Sequence, residues 1–266
     1  MTGPDDAPAR PGRSSLVLPG VTGFVGALGV TVGAALPGSP FTVQAAGAWF
    51  FADPTRPGVV DVGTRFAGIV LVYVGIAVLL ASWYEVWCAV RVRPGSPTGP
   101  LVAILMAWEL PVAVGLPLFS RDVYSYAAQG EMVTRGISPY THGPDALGGG
   151  RFLSMVDPLW RHSPAPYGPA WERLSGWVVA ASGHDVRGAV LGFRLLSLVG
   201  LVLIALAVPV LADAAGRDRS TAFALAVLNP LVVLVLVGGA HNDGLMLGLL
   251  LAGSALALRG HVVSGV

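Results

Sequence analysis

Six apolar runs dominate this chain, at about 15–37, 66–90, 101–119, 189–212, 220–238 and 244–259. A helix rising 1.5 Å per residue needs about 20 mostly apolar residues to cross a bilayer's hydrocarbon core. Inside lipid the backbone must satisfy its own N–H and C=O groups, so runs of this kind are helices. The expected fold is therefore all-α, a polytopic transmembrane helix bundle. Composition agrees. Hydrophobic residues are 54% of the 266 and charged residues only 12%, against about a quarter charged in soluble domains. All sixteen basic residues are Arg and they are scattered, which excludes the basic patch of a nucleic-acid binder. The single cysteine, Cys88, lies inside an apolar run. It can form neither an intrachain disulfide nor a thiolate metal site, and reads as a small buried or lipid-facing residue.

Arginine placement orients the spans. Arg10 and Arg13 precede the first run, Arg91 and Arg93 separate the second and third, Arg217 and Arg219 the fourth and fifth, and Arg259 ends the sixth. If every run crosses, all of these fall on one side, giving a multi-pass plasma-membrane protein with its N-terminus inside. The first run lacks a small-x-small cleavage site and reads as a retained anchor. The layout is a tail at 1–14, three helices within 15–119, an outer loop at 120–188, and three further helices within 189–266. The segments 38–65 and 239–243 also face outward.

The loop of about 70 residues is the place for extramembrane structure. Residues 122–135 read as an interfacial helix that ends at Gly136 and Pro139. On it Tyr126, Gln129 and Val133 share a face with Asp122, and Glu131 and Arg135 form an i, i+4 pair. The segment 160–171 is rich in Pro and aromatic residues, stiff enough to present side chains to a ligand. A second interfacial helix is expected at 170–181, with Trp171 and Trp177 at headgroup depth.

Asp122 has two readings at this stage, a general base or substrate anchor at the membrane surface and an N-cap carboxylate. His241-Asn242-Asp243 surfaces on the same side. Three polar side chains between apolar runs point to function, with an Asp243 cap as the plain alternative. Arg161, His162 and Tyr167 offer a phosphate partner and a ring face for a sugar, or an ordinary solvated loop. Arg194, near the outer end of the fourth run, either snorkels to the interface or holds a lipid phosphate. His142 and His184 read as plain loop residues. No dinucleotide fingerprint, Walker loop, zinc helix, nucleophile elbow or Asp-x-Asp pair is present. No cofactor is expected. A divalent metal shared by Asp122 and Asp243 stays open.

The string Ser120-Arg121-Asp122-Val123-Tyr124-Ser125-Tyr126, followed by Gly136-Ile137-Ser138-Pro139-Tyr140, resembles the first-loop pattern of polyprenyl-phosphate-sugar glycosyltransferases of the GT-C class. Pro166-Tyr167-Gly168-Pro169, Leu228-Asn229-Pro230 and Gly239-Ala240-His241-Asn242-Asp243 extend the likeness over about 100–260. Together they look most like the actinobacterial polyprenol-phosphomannose-dependent α-1,6-mannosyltransferases, which build the mannan backbone of lipomannan and lipoarabinomannan.

The resemblance implies a GT-C bundle with a large outer loop that takes mannose from a polyprenyl-phosphate carrier at the outer face. It implies inversion at the sugar carbon, Asp122 as catalytic base, and a mannan or lipid-linked mannoside as acceptor. Arg121, Arg161 and Arg194 are then candidates to steady the phosphate. Tyr126, His162, Tyr167, His241, Asn242 and Asp243 are candidates to line the substrate cavity. Two departures stand out. The large loop follows the third span rather than the first, and six spans fall short of the ten or more usual in the family, as expected of an N-terminal portion. A transporter or flippase of a lipid-linked saccharide, and an inactive scaffold, are the alternatives.

Overall fold

The structure is a computed structural model that describes residues 14–42 and 61–260. Arg10 and Arg13, the rest of the tail and most of the outer segment 38–65 lie outside the described residues. Helices α1 (Ser14–Ala35), α2 (Val62–Arg91) and α3 (Gly99–Val114) are followed by α4 (Asp122–Thr134), α5 (Arg151–Met155) and α6 (Pro169–Ala181). Then come α7 (Val186–Ala214), α8 (Arg219–Ala226), a π-helical segment (Val232–Val237) and α9 (Asp243–Leu258). Among the described residues there is no strand.

Helices α1, α2 and α7 are long and apolar enough to cross a membrane, while α3 and α9 are shorter apolar helices. Small residues bring the helices together. A Cβ on Gly26 would stand 2.8 Å from the Gly75 carbonyl oxygen, and Gly33 meets Gly68 in the same way one heptad on. The backbones of α1 and α2 therefore touch along a glycine seam, the usual solution where lipid removes the hydrophobic drive for association. Gly200 and Gly248 do the same for α7 and α9.

Two loops meet at one end of the bundle. The Gly95 N–H donates to Asp218, whose carboxylate also caps α8 through Thr221. The loop with Arg93 and the loop with Arg217 thus lie at the same end, as the arginine alternation requires.

Two expected spans are redrawn. The third run stops as a helix at Val114, and residues 115–121 continue non-helically past Gly115 and Pro117. The fifth run, expected as one helix over 220–238, is broken. Pro230 lacks an N–H and pushes Asn229 out of the α region, so α8 ends at Ala226. The chain restarts as the π segment, whose wide turns are a recurrent feature of functional sites.

Arg194 stitches these breaks together. It neither snorkels nor reaches a lipid headgroup, because it is 1% exposed. Its guanidinium donates to the carbonyls of Ala113 and Gly115 at the end of α3, and to those of Val237 and Gly238 at the end of the π segment. The Leu118 N–H donates to Gly238 O at 3.0 Å and joins the same two strands of chain. Frayed carbonyls at this depth have no water to turn to, and one buried five-donor fork satisfies four of them.

Beyond the bundle a second core gathers Val123, Tyr126, Ala127 and Met132 of α4 with Phe152, Val179, Val190 and Phe193. Helix α6 crosses α4 so closely that a Cβ on Gly130 would lie 2.5 Å from the Ser175 carbonyl. The helices expected at 122–135 and 170–181 are both present within a residue or two.

Candidate functional site

The two stitched breaks deliver the site. In the first, Phe119 takes a left-handed backbone (φ 62°), Ser120 follows, and the Ser120 hydroxyl accepts the Asp122 N–H at the start of α4. In the second, Ala240 is left-handed (φ 53°) and fully buried, and His241, Asn242 and Asp243 follow at the start of α9. Such conformations in non-glycine residues cost of order 1–3 kcal/mol each and persist where packing over-determines them. Here the Phe119 N–H donates to Phe41 O and its ring stacks edge-on against Phe41. The Ser197 hydroxyl holds the His241 carbonyl.

The result is an acid–imidazole–acid arrangement. His241 Nδ1 lies 3.8 Å from Asp122 Oδ2 and 3.8 Å from Asp243 Oδ2. Neither carboxylate serves its helix as a cap. Asp122 follows the N-cap residue Arg121, Asp243 follows the N-cap residue Asn242, and no side chain at either N-cap position makes a capping bond. Both carboxylates sit in first turns, where the helix dipole favours negative charge, and both stay partly open to solvent.

Behind them lies an aromatic wall. The Tyr126 hydroxyl donates to Asn242 Oδ1 at 3.2 Å. Its ring meets Tyr167 and Trp171 edge-on at 5.1 Å each, with Phe193 on a third side. Burial, then the Tyr167 hydroxyl and the Asp122 charge, push the Tyr126 phenol far up, so it stays a neutral donor. Burial also raises Tyr167.

A cavity of about 180 Å³ opens beside Asp122. Asp122, Ser125 and Gln129 of α4 form one wall, at i, i+3 and i+7. Trp160, Ser163, Pro164, Pro166 and Tyr167 form the other. Ser125 and Gln129 are buried, and Ser125 Oγ and Gln129 Oε1 have no hydrogen-bond partner. Leaving a buried acceptor unmet costs about 1–3 kcal/mol. Nearby on α6, Glu172 is 3% exposed with both oxygens unpaired, and burial pushes its carboxyl to about 7.

Of the residues singled out from sequence, the fold gathers Asp122, Tyr126, Tyr167, His241, Asn242 and Asp243. Arg121 stands beside Asp122 in the chain and lies 3.9 Å from Asp157. Arg161 and His162 do not line the cavity. The Arg161 guanidinium donates to the carbonyls of Val156 and Ser154, and His162 pairs with Asp145 at 3.0 Å. Arg194 is spent on backbone carbonyls. His184, read as a plain loop residue, instead holds Glu131 at 2.6 Å. The sequence reading missed Ser125, Trp171 and Glu172 as site neighbours. Gln129 carried a signal, its shared face with Asp122. Among the described residues no group of three or more His, Cys, Asp or Glu is placed to hold a metal.

Comparison with known proteins places this geometry in context. The profile of a family described as Alpha-(1->6)-mannopyranosyltransferase, N-terminal domain, matches residues 20–266. Alpha-(1->6)-mannopyranosyltransferase A of Mycobacterium tuberculosis is 36% identical over 100% of this chain and 48% of its own length. Alpha-(1->6)-mannopyranosyltransferase B of Corynebacterium glutamicum is 34% identical over 71% of this chain and 33% of its own length. The A protein of the same organism is 31% identical over 74% and 41%. The chain thus spans about half or less of the curated relatives it matches. No solved structure matches it.

Proposed function

Since the chain belongs to the α-(1→6)-mannopyranosyltransferase family across residues 20–266, we propose that it carries the catalytic centre of a membrane mannosyltransferase of GT-C type. The donor is polyprenyl-phosphate mannose, the acceptor an α-1,6-mannan or lipid-linked mannoside of the lipomannan kind, and the site faces the outside of the plasma membrane. The observation that carries the reading is the Asp122 carboxylate. It is free of capping duty, open to solvent, 3.8 Å from His241, and set on a cavity wall.

The reaction inverts the sugar carbon in one displacement. The acceptor hydroxyl oxygen attacks the mannose C1 as the C1–O bond to phosphate breaks. The hydroxyl proton passes to Asp122, and the bonding pair leaves on the polyprenyl phosphate. One base suffices, because no sugar–enzyme bond forms, as in the base step of inverting glycoside hydrolysis. The departing phosphate gains charge, which nearby cations stabilise. With Arg161 and Arg194 committed to carbonyls, the Arg121 guanidinium and an N–H of the His241 ring are the groups left for that work. Tyr126 holds Asn242, and with it the start of α9, against the same wall.

The test is mannose transfer from synthetic polyprenyl-phosphomannose to a short α-mannoside, using membranes that contain the chain. Asp122→Ala should lower the rate about 10²–10⁴-fold. Transfer at the wild-type rate in that variant removes Asp122 as the base. Absence of transfer by the wild type, persisting when the chain is extended to the length of its relatives, sinks the reading as a whole.

A further inference from the structure

We propose that the cavity between α4 and the 160–167 segment is the subsite for one neutral sugar ring, the terminal pyranose of the acceptor, read by Ser125 and Gln129. The proposal rests on the transferase reading and says which substrate sits where.

Size comes first. At about 180 Å³ the cavity is well below the roughly 300–1,000 Å³ of pockets for drug-sized ligands. It takes a single ring, not an oligosaccharide or a lipid tail. The lining comes next. Ser125 and Gln129 belong to the cavity wall, and their Oγ and Oε1 atoms are buried without a hydrogen-bond partner. A ring carrying several hydroxyls supplies the donors they lack. Opposite them, Trp160, Tyr167, Pro164 and Pro166 offer the apolar faces against which the C–H face of a pyranose rests. That wall is stiff, and the Ala165 N–H donates to Pro139 O at 2.8 Å to fix its position.

Charge separates acceptor from donor. No Arg or His lines the cavity, and a phosphate needs such a partner. The donor's phosphate therefore belongs on the far side of Asp122, toward His241 and Arg121. A ring held by Ser125 and Gln129 presents its hydroxyl to Asp122 one turn along the same helix, where the base is required.

The experiment uses Gln129→Leu, with Ser125→Ala as a milder partner. Leu keeps the volume of Gln129 and removes a buried acceptor that has no partner, so the melting temperature of the variant should hold or rise. Binding of α-1,6-mannobioside to the chain in lipid nanodiscs, without donor, is titrated by saturation-transfer NMR, and should weaken about tenfold in Gln129→Leu. In the transfer assay the acceptor KM should rise by a like factor, with donor KM and kcat within twofold. A purely structural role for Gln129 would not split the two KM values. Unchanged mannobioside binding, or a rise in the donor KM alone, overturns the subsite and leaves the transferase reading untouched. Binding that is present in wild type and lost in Gln129→Leu, with no transfer by a chain of any length, upholds the subsite while that reading falls.

Discussion

Helix α4 carries an acid–histidine pair at each end, and the two are built in opposite ways. At its C-terminal end Glu131 is 5% exposed and fully engaged. Oε1 accepts from Arg135 at 2.7–2.8 Å, and Oε2 faces His184 Nδ1 at 2.6 Å. Burial pushes this carboxyl up, but the hydrogen bonds from His184 and Arg135 outweigh it and leave it below the ordinary range. At the N-terminal end Asp122 is open to solvent, and its imidazole stands back at 3.8 Å. A carboxylate whose lone pairs are filled ties elements together, here α4 to the turn before α7. A carboxylate held near its partners but not by them is available to a substrate. The same residue types thus serve structure at one end and, on the proposed reading, chemistry at the other, and distance and burial tell them apart.

The largest expected effect tests that division directly. Asp122→Asn removes the proposed base and should lower mannosyl transfer about 10²–10⁴-fold. Because the carboxylate makes no capping bond, the stability change should stay within about 0.5 kcal/mol. A large loss of melting temperature in this variant would erase the contrast with Glu131.

Glu172, on α6, fits neither class, being buried yet unpaired. Its folded pKa of about 7 stands above the ordinary 4.5. A raised acid favours the folded state while protonated. Its contribution is full below about pH 4.5 and is lost as pH rises through about 7. The shift corresponds to roughly 3 kcal/mol at 1.36 kcal/mol per unit. Thermal unfolding in detergent between pH 4 and 8.5 should show the wild type losing stability over that window, and Glu172→Gln should flatten the loss. An unaltered pH profile in Glu172→Gln would mean that Glu172 is paired after all.

Much of this was legible in the chain. The apolar runs fixed the long helices because lipid leaves the backbone one solution, and the arginine alternation placed Asp122 and His241 on one side before any contact was known. Helices α4 and α6 followed from Asp122, Gly136 and the proline spacing. What stayed hidden is non-local. Asn229-Pro230 interrupts the fifth run, yet in a string this apolar the break competes with a strong helical pattern. The partners of Arg194 are carbonyls 43 to 81 residues away, and a carbonyl has no sequence signature. Arg161 faded for the same reason, since its partners are backbone carbonyls at the end of α5 and just after it. Ser125 reads as an ordinary small residue until the 160–167 segment closes over it.

Glu131→Gln probes the structural end. It removes the charge while keeping the shape, and both partners are about half exposed, so water recovers part of what they lose. Stability should fall by about 1–2 kcal/mol, with the transfer rate of the folded protein within twofold. A hundredfold rate loss without destabilisation would make Glu131 part of the site and dissolve the comparison.

The smallest effect is the most discriminating, because it compares the two histidines. His184 sits at φ 60° in the turn between α6 and α7, and its Nδ1 bond to Glu131 holds it there. His184→Ala keeps the left-handed strain and loses the bond, so it should cost about 1 kcal/mol. His184→Gly loses the same bond but relieves the strain at a position where glycine is at ease, and should come out close to wild type. His241 has an ordinary backbone position in this comparison and no bond shorter than 3.8 Å to either acid. His241→Ala should therefore cost no hydrogen bond to either acid while slowing transfer by tenfold or more, through loss of the ring N–H donor proposed beside the departing phosphate. If His184→Ala slows transfer as His241→Ala does, the two ends of α4 are coupled, and distance alone does not separate the structural pair from the catalytic one.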